Sequence, residues 1–125
     1  MKYLGIDFGL RRIGLAVSEG NLTSPFKVLE VKNFTDAITK TSKIIKEGEF
    51  QKIIIGLPEG KVGQAVLGFV KRLAQTGLDV ETVDETLSSQ KAVDQMIAEG
   101  VPVKKRRSND AYSAAIILQN YLDSK

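Results

Sequence analysis

The chain has 125 residues, 42% of them hydrophobic and 26% charged, which fits one soluble globular domain with a real core and is too short for two lobes around a cleft. It contains neither Cys nor His. That excludes disulfides, thiolate metal sites, His-ligated zinc and imidazole bases, leaving carboxylates, hydroxyls, Lys, Tyr and metal-bound water for any chemistry. The formal net charge of +3 is local: without the run Lys104-Lys105-Arg106-Arg107 the 18 basic residues fall to 14 against 15 acidic ones, a distribution that points to a patch for a polyanion. No segment is apolar for long enough to span a bilayer, and the expectation is a cytoplasmic protein with no membrane partner.

Residues 2–8 read as a strand, Gly9 to Arg11 as a tight turn, and Arg12 to Ser18 as a second strand. Alternation sets Leu4, Ile6 and Phe8 on one face and Tyr3, Gly5 and Asp7 on the other, so a lone carboxylate shares its face with a residue that has no side chain. In the second strand Ile13, Leu15 and Val17 share a face, and Gly14 and Ala16 take the opposite one. If that small-residue face pairs beside Asp7, the expectation is room for a ligand around the acid. A turn-rich segment from Gly20 to Pro25 precedes a third strand over Phe26 to Val31, and short connections make the three an antiparallel meander.

A helix is expected from Thr35, with Thr35 or Phe34 near its start, to about Lys46, with Gly48 as its stop. Ile53-Ile54-Ile55 is a continuous apolar run of the kind found in a strand covered on both faces, at the sheet centre or next to it. Leu57 to Gly63 reads as a loop, Gln64 to Thr76 as a helix burying Val66, Phe69, Val70 and Leu73, and Leu78 to Asp84 as a fifth strand. A helix follows over about Ser89 to Glu99. The last helix carries Ala111, Ala114, Ala115, Leu118 and Leu122 on one stripe. The fold class is α/β in a single domain over 1–125: a five-stranded mixed sheet, made of the meander plus two crossover strands, flanked by helices.

Gly56-Leu57-Pro58-Glu59-Gly60-Lys61 is not a nucleotide phosphate loop, because it has three residues between its glycines and Val62 where Ser or Thr would meet magnesium. Acids do fall where an α/β sheet builds its site, at strand ends and helix starts: Asp7, the pair Asp84-Glu85, and Asp110. Carboxylates are natural ligands for magnesium or manganese, and two such ions hydrolyse a phosphodiester without any His. Each acid has a plainer role open to it. Asp7 fits a solvated strand end, Asp110 fits a helix-dipole partner, and only one of Asp84 and Glu85 can face the site if the strand persists. Glu59 is a further loop acid. The run Lys104, Lys105, Arg106 and Arg107 is either a solvated surface or a phosphate-contact patch beside Asp110, and Arg12 either meets phosphate or braces the turn.

Taken together, Asp7-Phe8-Gly9 with Arg12, Gly14 and Ala16; Gly56-Leu57-Pro58; Val83-Asp84-Glu85 with Leu87-Ser88; and Asp110 with Ala114, Ala115 and Ile117-Leu118 resemble the YqgF/RuvX family of bacteria, the Holliday-junction-resolvase-like or pre-16S rRNA nucleases. The four motifs occur in the family's order over nearly the whole chain. The resemblance implies a ribonuclease-H-like fold and a catalytic, metal-binding set of Asp7, Glu85 and Asp110 for Mg2+ or Mn2+, which selects Glu85 over Asp84. It implies phosphodiester hydrolysis in 5′-end processing of precursor 16S rRNA, with Arg12 and Lys104, Lys105, Arg106 and Arg107 holding the nucleic acid. RNA is the expected partner, with structured DNA as the alternative, and the chain is expected to be a monomer or weak homodimer. The rival readings are a junction-resolving DNA endonuclease, which needs a dimer, and a non-catalytic nucleic-acid-binding module. The family commonly has Arg after the Asp-Glu pair, where this chain has Thr86, which can donate a hydrogen bond but brings no charge and no bidentate fork.

Overall fold

The computed structural model describes residues 1–20, 22–57, 61–84 and 110–124, of which 61–63, 84 and 110 are described by backbone alone. Its elements run β1 (Tyr3–Asp7), β2 (Arg12–Ser18), β3 (Ser24–Glu30), α1 (Phe34–Gly48), β4 (Lys52–Leu57), α2 (Lys61–Ala74), β5 (Val80–Asp84) and α3 (Asp110–Asp123). The five strands form one mixed sheet in the order β3-β2-β1-β4-β5. The meander β1–β2–β3 is antiparallel, and β4 and β5 add in parallel to β1. The expected ribonuclease-H-like arrangement of three meandering strands and two crossover strands is the one observed.

The two faces of the sheet follow from strand alternation. Leu4 and Ile6 from β1 with Phe8 just after it, Ile13 and Leu15 from β2, and Ile53 and Ile55 from β4 form the larger core with Ala37 and Ile45 of α1 and Val66, Phe69 and Leu73 of α2. Phe69 anchors it, with its ring centroid 4.6 Å from that of Phe8 and 6.4 Å from that of Phe34. Ile54 points the other way and packs with Ile117, Leu118 and Tyr121 of α3. The triple-isoleucine run is thus buried on both faces, in the strand next to the central one. α3 buries more than one stripe: Ile116, Ile117 and Tyr121 are covered as well as Ala111, Ala114, Ala115 and Leu118. On the edge strand β3, Pro25 sits at the register shift beside Ala16, where a missing N–H costs the ladder least.

The start of α1 at Phe34 is one of the two expected, and helix ends differ from the sequence expectation in two places. α1 is capped by Asn33, whose Oδ1 accepts from the Asp36 N–H at 2.8 Å, while the Asp36 carboxylate accepts from the Lys32 N–H at 2.9 Å. At its other end Gly48 is still helical, and the left-handed residue is Glu49 at φ 54° and ψ 39°. Gly48 has a different job: a Cβ there would collide with the Phe50 ring, which folds back over the helix end. The loop expected over Leu57 to Gly63 is shorter, because α2 already begins at Lys61. The helix expected over about 89–99 lies outside the described residues.

Candidate functional site

β1, β4 and β5 are parallel, so Asp7, Leu57 and Asp84 end at the same edge of the sheet. β2 starts and β3 finishes there too, with Arg12 opposite Glu30. Asp7 is half-buried, and its register partner on β2 is the buried Gly14. Its face is set by β1 itself, since Tyr3 packs towards α3 and Gly5 lies under it. Along β5, Val80 belongs to the α1/α2 core and Val83 packs against α3, so the positions that share Asp7's face are 81 and 83 rather than 84. Glu85, Glu59 and the run Lys104 to Arg107 lie outside the described residues.

The position of Asp110 follows from how α3 crosses β1. At one end of the strand the rings of Tyr3 and Tyr121 are 6.3 Å apart. In the middle, a Cβ on Gly5 would lie 2.8 Å from Leu118 Cβ and 2.9 Å from the Ala114 carbonyl oxygen. Moving along β1 from Tyr3 towards Asp7 therefore means moving along α3 from Tyr121 towards its first residue, Asp110. Helix and strand run in opposite directions, and the start of α3 is brought to the Asp7 end of the sheet. Thr23 fixes the helix sideways: its Oγ1 donates to the Ala115 carbonyl at 3.0 Å, and its N–H donates to Gln119 Oε1 at 3.1 Å.

This packing corrects one expectation. The register does set the small-residue face beside Asp7, with Gly5 opposite Ala16 and Asp7 opposite Gly14. The space over Gly5 and Ala16 is filled by a helix rather than left for a ligand: Ala16 is fully buried against Ala114 and Ala115, and Gly5 lies beneath Ala114 and Leu118. Alternation identified the face but not its cover. Gly9 has a separate steric role, because a Cβ there would strike the Arg12 carbonyl oxygen across the tight turn.

Arg12 is exposed and heads β2 on the far side of that turn. Beside it is an open depression of about 600 Å³ lined by Arg11, Arg12, Glu30, Val31, Lys32 and Lys40. Arg11, Lys32 and Lys40 were not singled out by sequence, where they are scattered. Asp36 lies next to this surface with its carboxyl held below the ordinary carboxylate range, chiefly by the Lys32 N–H; partial burial opposes this and Lys40 assists it. A more apolar depression of about 590 Å³ occupies the opposite end of the sheet, between β3 and the end of α1, lined in part by Val17, Leu22, Phe26 and Phe50.

A family model described as "RuvX: Holliday junction resolvase" matches residues 1–124. The chain belongs to the RuvX family. Among its relatives, a protein of Anaeromyxobacter sp. (strain K) is 36% identical over 135 residues, covering 100% of this chain and 98% of its own length. One of Sulfurimonas denitrificans is 37% identical over 131 residues, covering 100% and 99%. Both are named "Putative pre-16S rRNA nuclease". Two solved resolvases share the fold of this RuvX chain: T. thermophilus RuvC in complex with Holliday junction substrate, with TM-score 0.69, 17% identity and 99% and 94% of the two chains covered, and the fowlpox virus Holliday junction resolvase, with TM-score 0.68, 11% identity and 100% of both covered. The RuvX chain is thus a member of a nuclease family with a ribonuclease-H-like fold. No described helix is long and apolar enough to cross a membrane.

Proposed function

We propose that this RuvX chain is a divalent-metal-dependent nuclease that hydrolyses phosphodiester bonds in RNA and processes the 5′ end of precursor 16S rRNA in the cytoplasm, working as one domain, monomeric or weakly dimeric. The observation that carries the site is the antiparallel crossing of α3 over β1, which brings the first residue of the helix to the strand end that bears Asp7. The relatives' names carry the substrate.

The donor chemistry fits a hard cation. The chain has no Cys or His, and Asp7 presents a half-buried carboxylate opposite a glycine, with no side chain across the strand pair to crowd it. In this reading Asp7, Glu85 and Asp110 hold Mg2+ or Mn2+. When bound, the ion supplies the Lewis acid and activated water that a chain without His cannot provide. Arg12 and the run Lys104, Lys105, Arg106 and Arg107 hold the phosphate backbone by sequence-independent contacts. Thr86 contributes no charge to that grip.

The test is a cleavage panel of precursor rRNA, generic single-stranded RNA and a four-way DNA junction in magnesium, manganese or chelator, with Asp7→Asn beside wild type. Cleavage is expected on precursor rRNA, and it is expected to vanish in chelator and in Asp7→Asn while nucleic-acid binding persists. Wild-type turnover by Asp7→Asn would overturn the site. The family's description favours one second reading, a junction resolvase. Preferential cutting of the four-way junction by a dimer would establish that reading instead.

A further inference from the structure

The depression at the start of β2 is a cationic groove built from three separate parts of the chain. The β1–β2 turn supplies Arg11 and Arg12, the link after β3 supplies Lys32, and α1 supplies Lys40. Its walls are fixed by the backbone: the Val31 N–H donates to the Arg11 carbonyl at 2.9 Å, and Lys40 Nζ donates to the Glu30 carbonyl at 2.7 Å. Two acids share the region. Glu30 is exposed on the rim, and the Asp36 carboxylate is already engaged by the Lys32 N–H at 2.9 Å and by Lys40 Nζ at 3.2 Å. Among the described residues, four cations against two carboxylates leave an excess of positive charge. Of the four, Arg11 and Lys32 are exposed and lie outside the set assigned to the site above.

The groove's position gives that charge a purpose. Asp7 is opposite Gly14, and Arg12 lies two residues further along β2 on the same face. β3 is the next strand beyond β2, so Glu30 and the linked Lys32 are two strand spacings from β1, roughly 10 Å at about 4.8 Å per spacing. Arg12 therefore stands between the Asp7 end of β1 and a groove open to solvent. α1 covers the sheet face opposite Asp7, so a polymer carrying one charge per nucleotide and cut beside Asp7 reaches this surface by passing round the end of β2 at Arg12. A compact anion has no need of cations spread across a strand, a turn and a helix.

We propose that Arg11, Lys32 and Lys40, continuing from Arg12, form a second backbone-binding track that holds the arm of the nucleic-acid substrate flanking the cleaved phosphate. It is independent of base sequence, and it is made of residues other than the run Lys104 to Arg107. This rests on the nuclease reading above and adds to it where the substrate lies.

The experiment compares the double variant Arg11→Gln/Lys32→Gln with wild type and with Lys27→Gln, a control at the apolar depression on the other end of the sheet. Binding of a precursor-rRNA 5′ segment and of a four-way DNA junction is measured in chelator across a salt series. Each lost phosphate contact lowers the magnitude of the log K against log salt slope by about 0.7 to 0.9, so the double variant is expected to lose about 1.4 to 1.8 and to bind roughly 10 to 30-fold more weakly near 0.15 M salt. Lys27→Gln is expected to keep the wild-type slope. With metal present, the double variant is expected to raise KM and keep kcat, as for contacts made equally in ground and transition states. Trimming the substrate's flanking arm nucleotide by nucleotide should weaken wild type more steeply than the double variant, which keeps only Arg12 and Lys40 of the track. An unchanged salt slope, or equal sensitivity of both proteins to trimming, overturns the track. Wild type that neither binds nor cuts any of these nucleic acids overturns the nuclease reading itself, so the two failures are distinguishable.

Discussion

Gly5→Ala places a single methyl group in the seam that seats α3. Its Cβ would lie 2.8 Å from Leu118 Cβ and 2.9 Å from the Ala114 carbonyl oxygen, with Leu118 Cδ2 at 3.4 Å. Carbon contacts relax at about 3.5 to 4.0 Å, so the first approach is short by roughly an ångström. Neither of the two closest atoms is the free end of a flexible side chain, and Leu118→Ala would keep the offending Cβ. The relief must come from moving helix against sheet, and overpacking of this kind costs about 1 to 3 kcal/mol. Ala is intrinsically better than Gly inside a strand by about 0.5 to 1 kcal/mol, which leaves a net loss of roughly 1 to 2 kcal/mol.

Urea denaturation of wild type and Gly5→Ala measures that loss as a lower midpoint at unchanged m-value. Gly68→Ala is the control: it lies in α2, exposed, with nothing within 4 Å of its added Cβ, and a gain of about 0.5 to 1 kcal/mol is expected there. Cleavage should fall further than stability does. A shift of α3 moves the backbone of Asp110 relative to Asp7, and a misplacement near 1 Å can cost about a hundredfold in rate. Gly5→Ala with wild-type stability and wild-type cleavage would refute the claim that the missing side chain at position 5 seats the helix.

Other consequences are local. Thr41 is fully buried in α1, and among the described residues its Oγ1 has no hydrogen-bond partner, so Thr41→Val is expected to stabilise by about 1 kcal/mol, and a lower urea midpoint would show that the hydroxyl is satisfied. Glu49 holds the left-handed cap of α1, a conformation that costs an L-residue roughly 1 to 2 kcal/mol, and Glu49→Gly is expected to raise stability by about 0.5 to 1 kcal/mol after the entropy lost by glycine; no gain would count against the cap. Asp36 has a lowered carboxyl pKa in the folded state, so its stabilising effect is present above the unfolded value and is lost as pH falls through the folded one. Asp36→Asn should therefore be less stable than wild type near neutrality, with the two curves converging in acid; a gap that stays constant down to about pH 2.5 would reject that linkage.

Much of the architecture is legible because alternation is a strong signal. It placed β2 over Arg12–Ser18 and put Ile54 on the opposite face from Ile53 and Ile55. The face assignment groups Gly14 with Ala16 but leaves open the register that sets Gly14 opposite Asp7. What covers that face is a tertiary fact, and Gly5 and Ala16 read equally well as a ligand cavity or as a helix seat. Helix ends were harder. The spacing Asn33-x-x-Asp36 is a capping signal that decides between Thr35 and Phe34 as the start of α1 in favour of Phe34, whereas Gly48 misleads because it serves the Phe50 ring rather than a positive φ. α2 begins at Lys61 despite Gly63, since packing of Val66, Phe69 and Leu73 outweighs a propensity penalty of about 1 kcal/mol. The cationic groove was invisible for a different reason: Arg11, Lys32 and Lys40 come together only through β2–β3 pairing and the Val31 to Arg11 hydrogen bond, while Lys104 to Arg107 is plain as a run.

The strand β1 ties these features into one device. Its Leu4 and Ile6, and Phe8 directly after it, are locked into the larger core, so the backbone bearing Asp7 has little freedom to tilt. Its opposite face seats α3, which sets where that helix begins. The metal-site proposal therefore depends on the seam between β1 and α3, while the groove depends on the β1–β2 turn, the end of β3 and the start of α1. Under that proposal, disturbing the seam displaces the acid-bearing strand end and helix start relative to one another and acts on the chemical step. Disturbing the groove removes uniform binding and acts on affinity and its salt dependence. The hairpin from β1 to β2 is the element common to both, which is why a carboxylate at its first strand's end and guanidinium groups at its turn sit within a few residues of each other. Gly9 keeps that connection short, because any side chain there would push against the Arg12 carbonyl and part the acid from the cations.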